Sequence, residues 1–196
     1  MKTTQGLAGA LLAALLAGCL HAPPSPAARP ATGLDQVMSP ESFDHALLAQ
    51  AIFEASNRVR AANGAPPLAR MAALDAAADE QAIYMSLSLA AGHTNPIPGK
   101  RDVEERIESQ GLHAASVGEN AIMMAARRPA DEPGGNYTYS SFAARLIKGW
   151  MDSPGHREIL LARKFTNLGC AARLAHGFIP GDQRVFAAQV FLLPAP

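Results

Sequence analysis

Ser153-Pro154 is the dipeptide that most limits how this chain can fold. A residue before proline is pushed out of the α region, so a helix that runs into Ser153 must stop there. Pro154 in turn suits the first position of a new helix. Upstream, Phe142, Leu146, Gly149 and Trp150 recur at helical spacing, giving one apolar face to a helix that Ser140 or Ser141 is placed to cap. Downstream, Ile159 and Leu160 would bury the inner face of a second helix with Ser153 as its N-cap. His156 then falls in the first turn of that helix. The only tryptophan, a forced helix break and a histidine therefore form one wall of a site. Trp150 is expected to be buried, while Ser56 and Arg58 are expected to tolerate change.

The rest of the chain divides by period. Ser39-Pro40-Glu41 combines an N-cap, a first-turn proline and an acidic residue suited to a helix N-terminus, and Gly64 supplies a stop. Between them Phe43, Leu47, Leu48, Ile52, Ala55 and Val59 place one stripe on a core. Leu74, Ala78, Ala82 and Met85 carry the next helix, whose alanines permit close approach of another element. A short helix with Val103, Ile107 and Arg106 inward ends at Gly111, and Arg127 to Tyr139 reads as a mobile surface loop. At the C-terminal end the period changes to two. Asn167 to Leu174 and Arg184 to Leu193 predict an antiparallel hairpin, with Val185, Ala187, Gln189 and Phe191 on one face and Phe186, Ala188, Val190 and Leu192 on the other. Both faces are apolar, as in a central strand covered by helices on each side. Helices first and hairpin last is the order of an α+β fold.

Equal numbers of basic and acidic residues, 17 each, leave no net field to draw the chain to nucleic acid, and nucleic acid is not an expected partner. Residues 1–18 read as a secretory signal: Lys2, an apolar run from Leu7 to Leu16 that is too short to span a bilayer, then small residues. Leu16-Ala17-Gly18-Cys19 resembles a lipobox, which implies cleavage before Cys19, lipidation of that cysteine with palmitate or a similar acyl group, and a membrane as partner. Leu20 is not the aspartate that retains lipoproteins at an inner membrane, so the outer membrane is the expected place in a two-membrane envelope. Residues 19–39, with Pro23, Pro24, Pro26 and Pro30, are expected to form an extended tether without fixed structure before Ser39, and 40–196 one globular domain. Cys170, between small and apolar neighbours and without a partner thiol, reads as a buried hydrophobe.

Two further stretches resemble the Trp150 region in character, His93-Thr94-Asn95-Pro96 and Gly118-Glu119-Asn120. Together with Asn57-x-x-Arg60-x-x-Asn63-Gly64 and Trp150-x-x-Ser153-Pro154-Gly155-His156-Arg157, in that order, they resemble the bacterial branch of the CAP superfamily, also called SCP-like, over roughly Leu47 to Phe191. The resemblance implies a three-layer α-β-α sandwich with the C-terminal hairpin in its central sheet. It also implies a central ligand cavity to which His93, Glu119 and His156 correspond. Many relatives place a second glutamate three residues after the tryptophan; here that position is Ser153, with Asp152 one residue earlier.

Two imidazoles and a carboxylate suit a divalent metal, zinc or copper. The same residues also suit a hydrogen-bonded cluster in which Glu119 accepts from the histidines. His21, His45, His113 and His176 read as surface or loop residues. These choices lead to two functions. One is an envelope-anchored module binding a lipid or cell-envelope ligand. The other is a metal-assisted hydrolase in which Glu119 assists a metal-activated water. No H-E-x-x-H helix, G-x-S-x-G elbow or phosphate loop supports the enzyme, and Ser153 reads as a cap rather than a nucleophile.

Overall fold

The computed structural model describes residues 33–129, 133–177 and 181–196. The expected signal, the lipidation site Cys19, most of the tether, and His21 lie outside the described residues. No helix among those described is long and apolar enough to cross a membrane.

Among the described residues, five α-helices and four strands run in the order α1 (His45–Ala62), β1 (Ala69–Arg70), α2 (Ala72–Ser88), α3 (Val103–Ser109), β2 (Ala114–Ala125), α4 (Tyr139–Asp152), α5 (Pro154–Leu161), β3 (Asn167–His176) and β4 (Gln183–Pro194). The sheet order is β1-β3-β4-β2, so the last strand is central and β2 forms one edge. β4 pairs antiparallel with both β3 and β2, and β1 adds a short parallel pairing to β3. The expected hairpin is thus present, with Ala171 opposite Ala188 near its middle.

Both faces of β4 are covered, as its double apolar pattern requires. Val185, Ala187 and Phe191 join Trp150, Phe142, Leu146, Leu48 and Ile52 in one core under α1, α4 and α5. Phe186, Ala188, Val190 and Leu192 join Leu74, Ala78, Ala82, Met85 and Ile107 in a second core under α2 and α3. The layering is α-β-α. Trp150 is fully buried, and its face of α4 is the one its spacing predicts.

Some boundaries differ from the sequence reading, each for a local reason. The first helix is split: Ser39 caps a single 3-10 turn, Pro40–Ser42, and α1 begins afresh at His45, with the Asp44 carboxylate accepting from Leu47 N at 2.9 Å. For α4 the cap is Thr138, in reciprocal bonding with Ser141, rather than Ser140 or Ser141. Gly33 to Met38, expected to belong to an extended tether, is folded onto the domain. Val37 bridges Thr138, Met38 N donates to Tyr137 O at 2.7 Å, and Leu34 and Met38 are buried in the first core. The prolines that argued for extension end at Pro30, and the two apolar side chains beyond it suffice to seat this segment. In the expected surface loop, Tyr137 is buried against Phe142, with the Arg128 guanidinium 4.1 Å from its ring centre.

Strand β2 is the element that periodicity missed. Its sequence, Ala-Ala-Ser-Val-Gly-Glu-Asn-Ala-Ile-Met-Met-Ala, is poor in β-branched and aromatic residues, and its pairing with β4 supplies what propensity lacks.

Candidate functional site

The edge strand β2 presents consecutive residues to opposite faces of the sheet, and Gly118-Glu119-Asn120 uses this alternation. Glu119, opposite Val190 on β4, turns toward the α2 and α3 layer. There its Oε1 meets His93 Nδ1 at 2.9 Å, and its Oε2 pairs with the Arg106 guanidinium. Arg106 is fully buried and also donates to Lys100 O at 3.1 Å. Both oxygens of the carboxylate are therefore engaged, and its side chain is only 3% exposed. The inward reading of Arg106 was correct, but its role as the counter-charge of Glu119 was not legible in the sequence.

Asn120 faces the other layer. Its Nδ2 donates to His156 O at 3.1 Å and to Gln189 Oε1 at 3.2 Å, and Gln189 Nε2 reaches Ser56 Oγ at 2.7 Å. Ser56 donates on to Ile52 O. This buried chain ties the first turn of α5 to the central strand and to α1. Ser56, expected to be tolerant, is fully buried within it, so that expectation is corrected. Arg58 is exposed and makes only an i,i+4 pair with Glu54 at 3.6 Å.

The other end of α5 is held by Arg60. Fully buried, it donates to Leu160 O at 2.7 Å, Ala162 O at 3.0 Å and Pro66 O at 2.8 Å. Asn57 completes the clamp through both the N–H and the carbonyl of Leu68. The Asn57/Arg60 motif is thus a device for seating α5, which carries His156. Gly118 permits the same approach, because a Cβ there would stand 3.0 Å from both Ile159 Cγ2 and Phe165 Cζ.

His93 arrives from the loop after α2 and His156 from the first turn of α5, and their ring centres lie 6.3 Å apart, tilted by 48°. Position and cap agree with the sequence reading of α5, although the Ser153 hydroxyl makes no capping bond. The Glu119 hydrogen bond raises the His93 pKa above the ordinary 6.5, outweighing the effect of partial burial. His156 is shifted below it, first by burial and then by repulsion from His93. The pair therefore holds one imidazole biased toward the charged form and one toward the neutral form.

This geometry alters the expected ligand set. Among the described residues no group of three or more His, Cys, Asp or Glu is placed to hold a metal ion. Glu119 is held by Arg106 and by His93 Nδ1, which leaves His93 Nε2 and the His156 ring as the available donors. Asp152 does not join them; it pairs with Lys148 at 2.6 Å on the exposed side of α4. The three residues are thus not placed as a three-ligand metal set, and Glu119 instead orients the His93 ring through Nδ1. His113 and His176 are exposed, as expected, but His45 is half-buried at the start of α1, its Nδ1 3.1 Å from Ala172 O.

Cys170 is buried at 1% exposure, and that burial pushes its thiol well above the usual range. It does not act at this site. A cleft of about 570 Å³ is bordered by Thr94, Asn95 and Pro96, the residues that follow His93 in the chain, without His93, Glu119 or His156 in its lining.

Among solved structures, the fold is similar to an extracellular protein containing an SCP domain from Bacillus anthracis, at 22% identity and a TM-score of 0.55. That match covers 80% of this chain and 44% of the Bacillus protein, so the chain spans less than half of that relative's length. It is also similar to an outer surface protein from Borrelia burgdorferi, at 15% identity and a TM-score of 0.52, over 76% of this chain and 93% of that one. No curated protein matches the chain. The model of the cysteine-rich secretory protein family, CAP, matches residues 53–177, which take in His93, Glu119, His156 and the Arg60 clamp, and the chain belongs to that family.

Proposed function

We propose that this CAP protein is an envelope-anchored binding module, held to a membrane through a lipid on Cys19, with a recognition centre at His93 and His156. The ligand is a lipid or another cell-envelope molecule, and the two imidazoles take a divalent metal, zinc or copper. The secretory signal and lipobox of residues 1–19 support the location, as do relatives described as extracellular and outer surface proteins.

One observation orders binding ahead of hydrolysis. Glu119 accepts from His93 on one oxygen and from Arg106 on the other. With both oxygens engaged and its side chain only 3% exposed, Glu119 is not open to the metal-activated water that the hydrolase reading gives it. Its work is to orient the His93 ring so that Nε2 faces outward. A bound metal would supply a Lewis acid there.

Calorimetric titration of the full chain with zinc and copper tests this reading, accompanied by mass spectrometry of co-purified metal and lipid. His93→Ala and His156→Ala should each weaken metal binding at least about 100-fold. Glu119→Gln, which acts through His93, should cost about 10- to 100-fold. Absence of a saturable metal site would leave a hydrogen-bonded cluster only. Turnover of a peptide, ester or glycan substrate that the two histidine changes abolish would establish the hydrolase instead.

A further inference from the structure

The cleft that follows His93 in the chain is bordered by Tyr84 of α2 and by Thr94, Asn95, Pro96, Arg101 and Asp102 of the connection to α3. Its volume, about 570 Å³, lies within the roughly 300–1,000 Å³ typical of small-molecule sites. Asn95 is its most constrained member. Only 2% of this residue is exposed, its backbone N–H donates to Arg101 O at 2.9 Å, and its Oδ1 accepts from Ile97 N at 3.0 Å. Because Oδ1 must face that N–H, the orientation of the amide is set, and its Nδ2 is left without a hydrogen-bond partner among the described residues. A buried donor in this state is costly and calls for an acceptor.

The remaining lining narrows what that acceptor belongs to. None of the six residues is Leu, Ile, Val, Phe or Met, so the cleft offers no seat for an acyl chain. Its two charged residues bear opposite signs and both contact Glu105: the Arg101 guanidinium donates to its carboxylate and the Asp102 carboxylate accepts from its N–H, so the rim carries no net charge to draw an ionic ligand. Among its lining residues Tyr84 and Pro96 carry rings and Thr94 a hydroxyl. This combination suits a neutral, polyhydroxylated ring that also carries a carbonyl. We infer that the Tyr84–Asn95 cleft is a glycan subsite, in which Asn95 Nδ2 donates to the carbonyl oxygen of an acetamido sugar. The proposal deepens the binding-module reading by naming an envelope polysaccharide as the ligand class. It requires no metal at His93 and His156.

The test uses the full chain in a polyoxyethylene detergent, which has no sugar headgroup to compete. It is titrated with a chito-oligosaccharide and with the cello-oligosaccharide of equal length, which has hydroxyls in place of acetamido groups. The acetamido ligand should bind saturably and at least about tenfold tighter, both with and without EDTA. Asn95→Asp keeps the acceptor for Ile97 N but removes the donor, and should lower affinity at least about tenfold. Amide resonance shifts on binding should centre on Tyr84 and residues 94–102, a readout that stands even if a variant folds poorly. Equal affinity for the two oligosaccharides, no saturable binding, or shifts centred elsewhere would each overturn the proposal. So would displacement of the sugar by an N-acetylated peptide at equal concentration, because the cleft would then be reading a bare amide. Failure of glycan binding alongside an intact zinc site would sink this inference alone.

Discussion

His93 and His156 lie side by side with opposite biases, and the pH dependence of stability is set by their directions of shift. The folded-state pKa of His93 lies above 6.5, so its stabilisation is complete below 6.5 and is lost as pH rises through the raised value. That of His156 lies below 6.5, so this residue costs stability when forced to charge, and the loss develops as pH falls from 6.5 through the lowered value. Together the two predict a stability maximum near pH 6.5. Urea unfolding at a series of pH values should show His93→Gln flattening the alkaline limb. The same change should only reduce the acid limb, because its main cause is the burial of His156 itself. An alkaline limb that persists unchanged in His93→Gln would mean that the Glu119 contact does not form. Arg106 is the residue that makes this arrangement sustainable, since Glu119 would otherwise be a buried carboxylate with only a partly charged partner.

The second helix and the hairpin meet at a single residue type. A Cβ on Gly169 of β3 would stand 2.1 Å from Leu74 C and 2.3 Å from Asp75 N, both in the backbone of α2. No side-chain rotation relieves such a contact, so the helix itself would have to lift. Cys170 N also donates to Asp75 Oδ1 at 2.8 Å, so lifting α2 breaks that bond as well. Gly169→Ala should therefore cost about 3 kcal/mol or more, the upper end for an overpacked core. Gly155→Ala is the matched control. Nothing lies within 4 Å of the added methyl, and alanine suits a helix, so its effect should be neutral or slightly stabilising. Chemical unfolding of the two variants measures the difference, and equal stabilities would refute the close seating of α2 on β3. The alanines of α2 announced this approach; which glycine receives them only the packing could say.

Over the whole molecule, a chain with 17 basic and 17 acidic residues carries no net charge to draw it to a membrane, so the proposed anchoring rests on the N-terminal segment. Acyl chains contribute about 0.8 kcal/mol per buried methylene, and more than one chain on Cys19 would hold the protein firmly. Cys19→Ala should release the protein from the membrane fraction and abolish incorporation of radiolabelled fatty acid, whereas Cys170→Ala, in the core, should leave labelling intact. Label retained by Cys19→Ala would remove the anchor from the proposed function. Leu34 and Met38, within the segment expected to be an extended tether, are in the core.

What the sequence determined by itself was what short-range physics encodes. Ser153-Pro154 had to separate two helices. The stripes of α1 and α2 had to face a core, and the double apolar face of β4 had to lie between two layers. The order of His93, Glu119 and His156 was legible too, as a family pattern. The tertiary structure decided the partners of these residues. Arg106 reaches Glu119 because α3 packs over an edge strand whose own residues carry little strand propensity, and that strand exists because β4 pairs with it. Asn120, Gln189 and Ser56 form one hydrogen-bonded chain although Ser56 and Gln189 stand 133 positions apart. Periodicity reports which way a side chain faces, because successive residues on one element are related by a fixed rotation. It carries no information on what waits opposite, since burial selects that partner from any part of the chain.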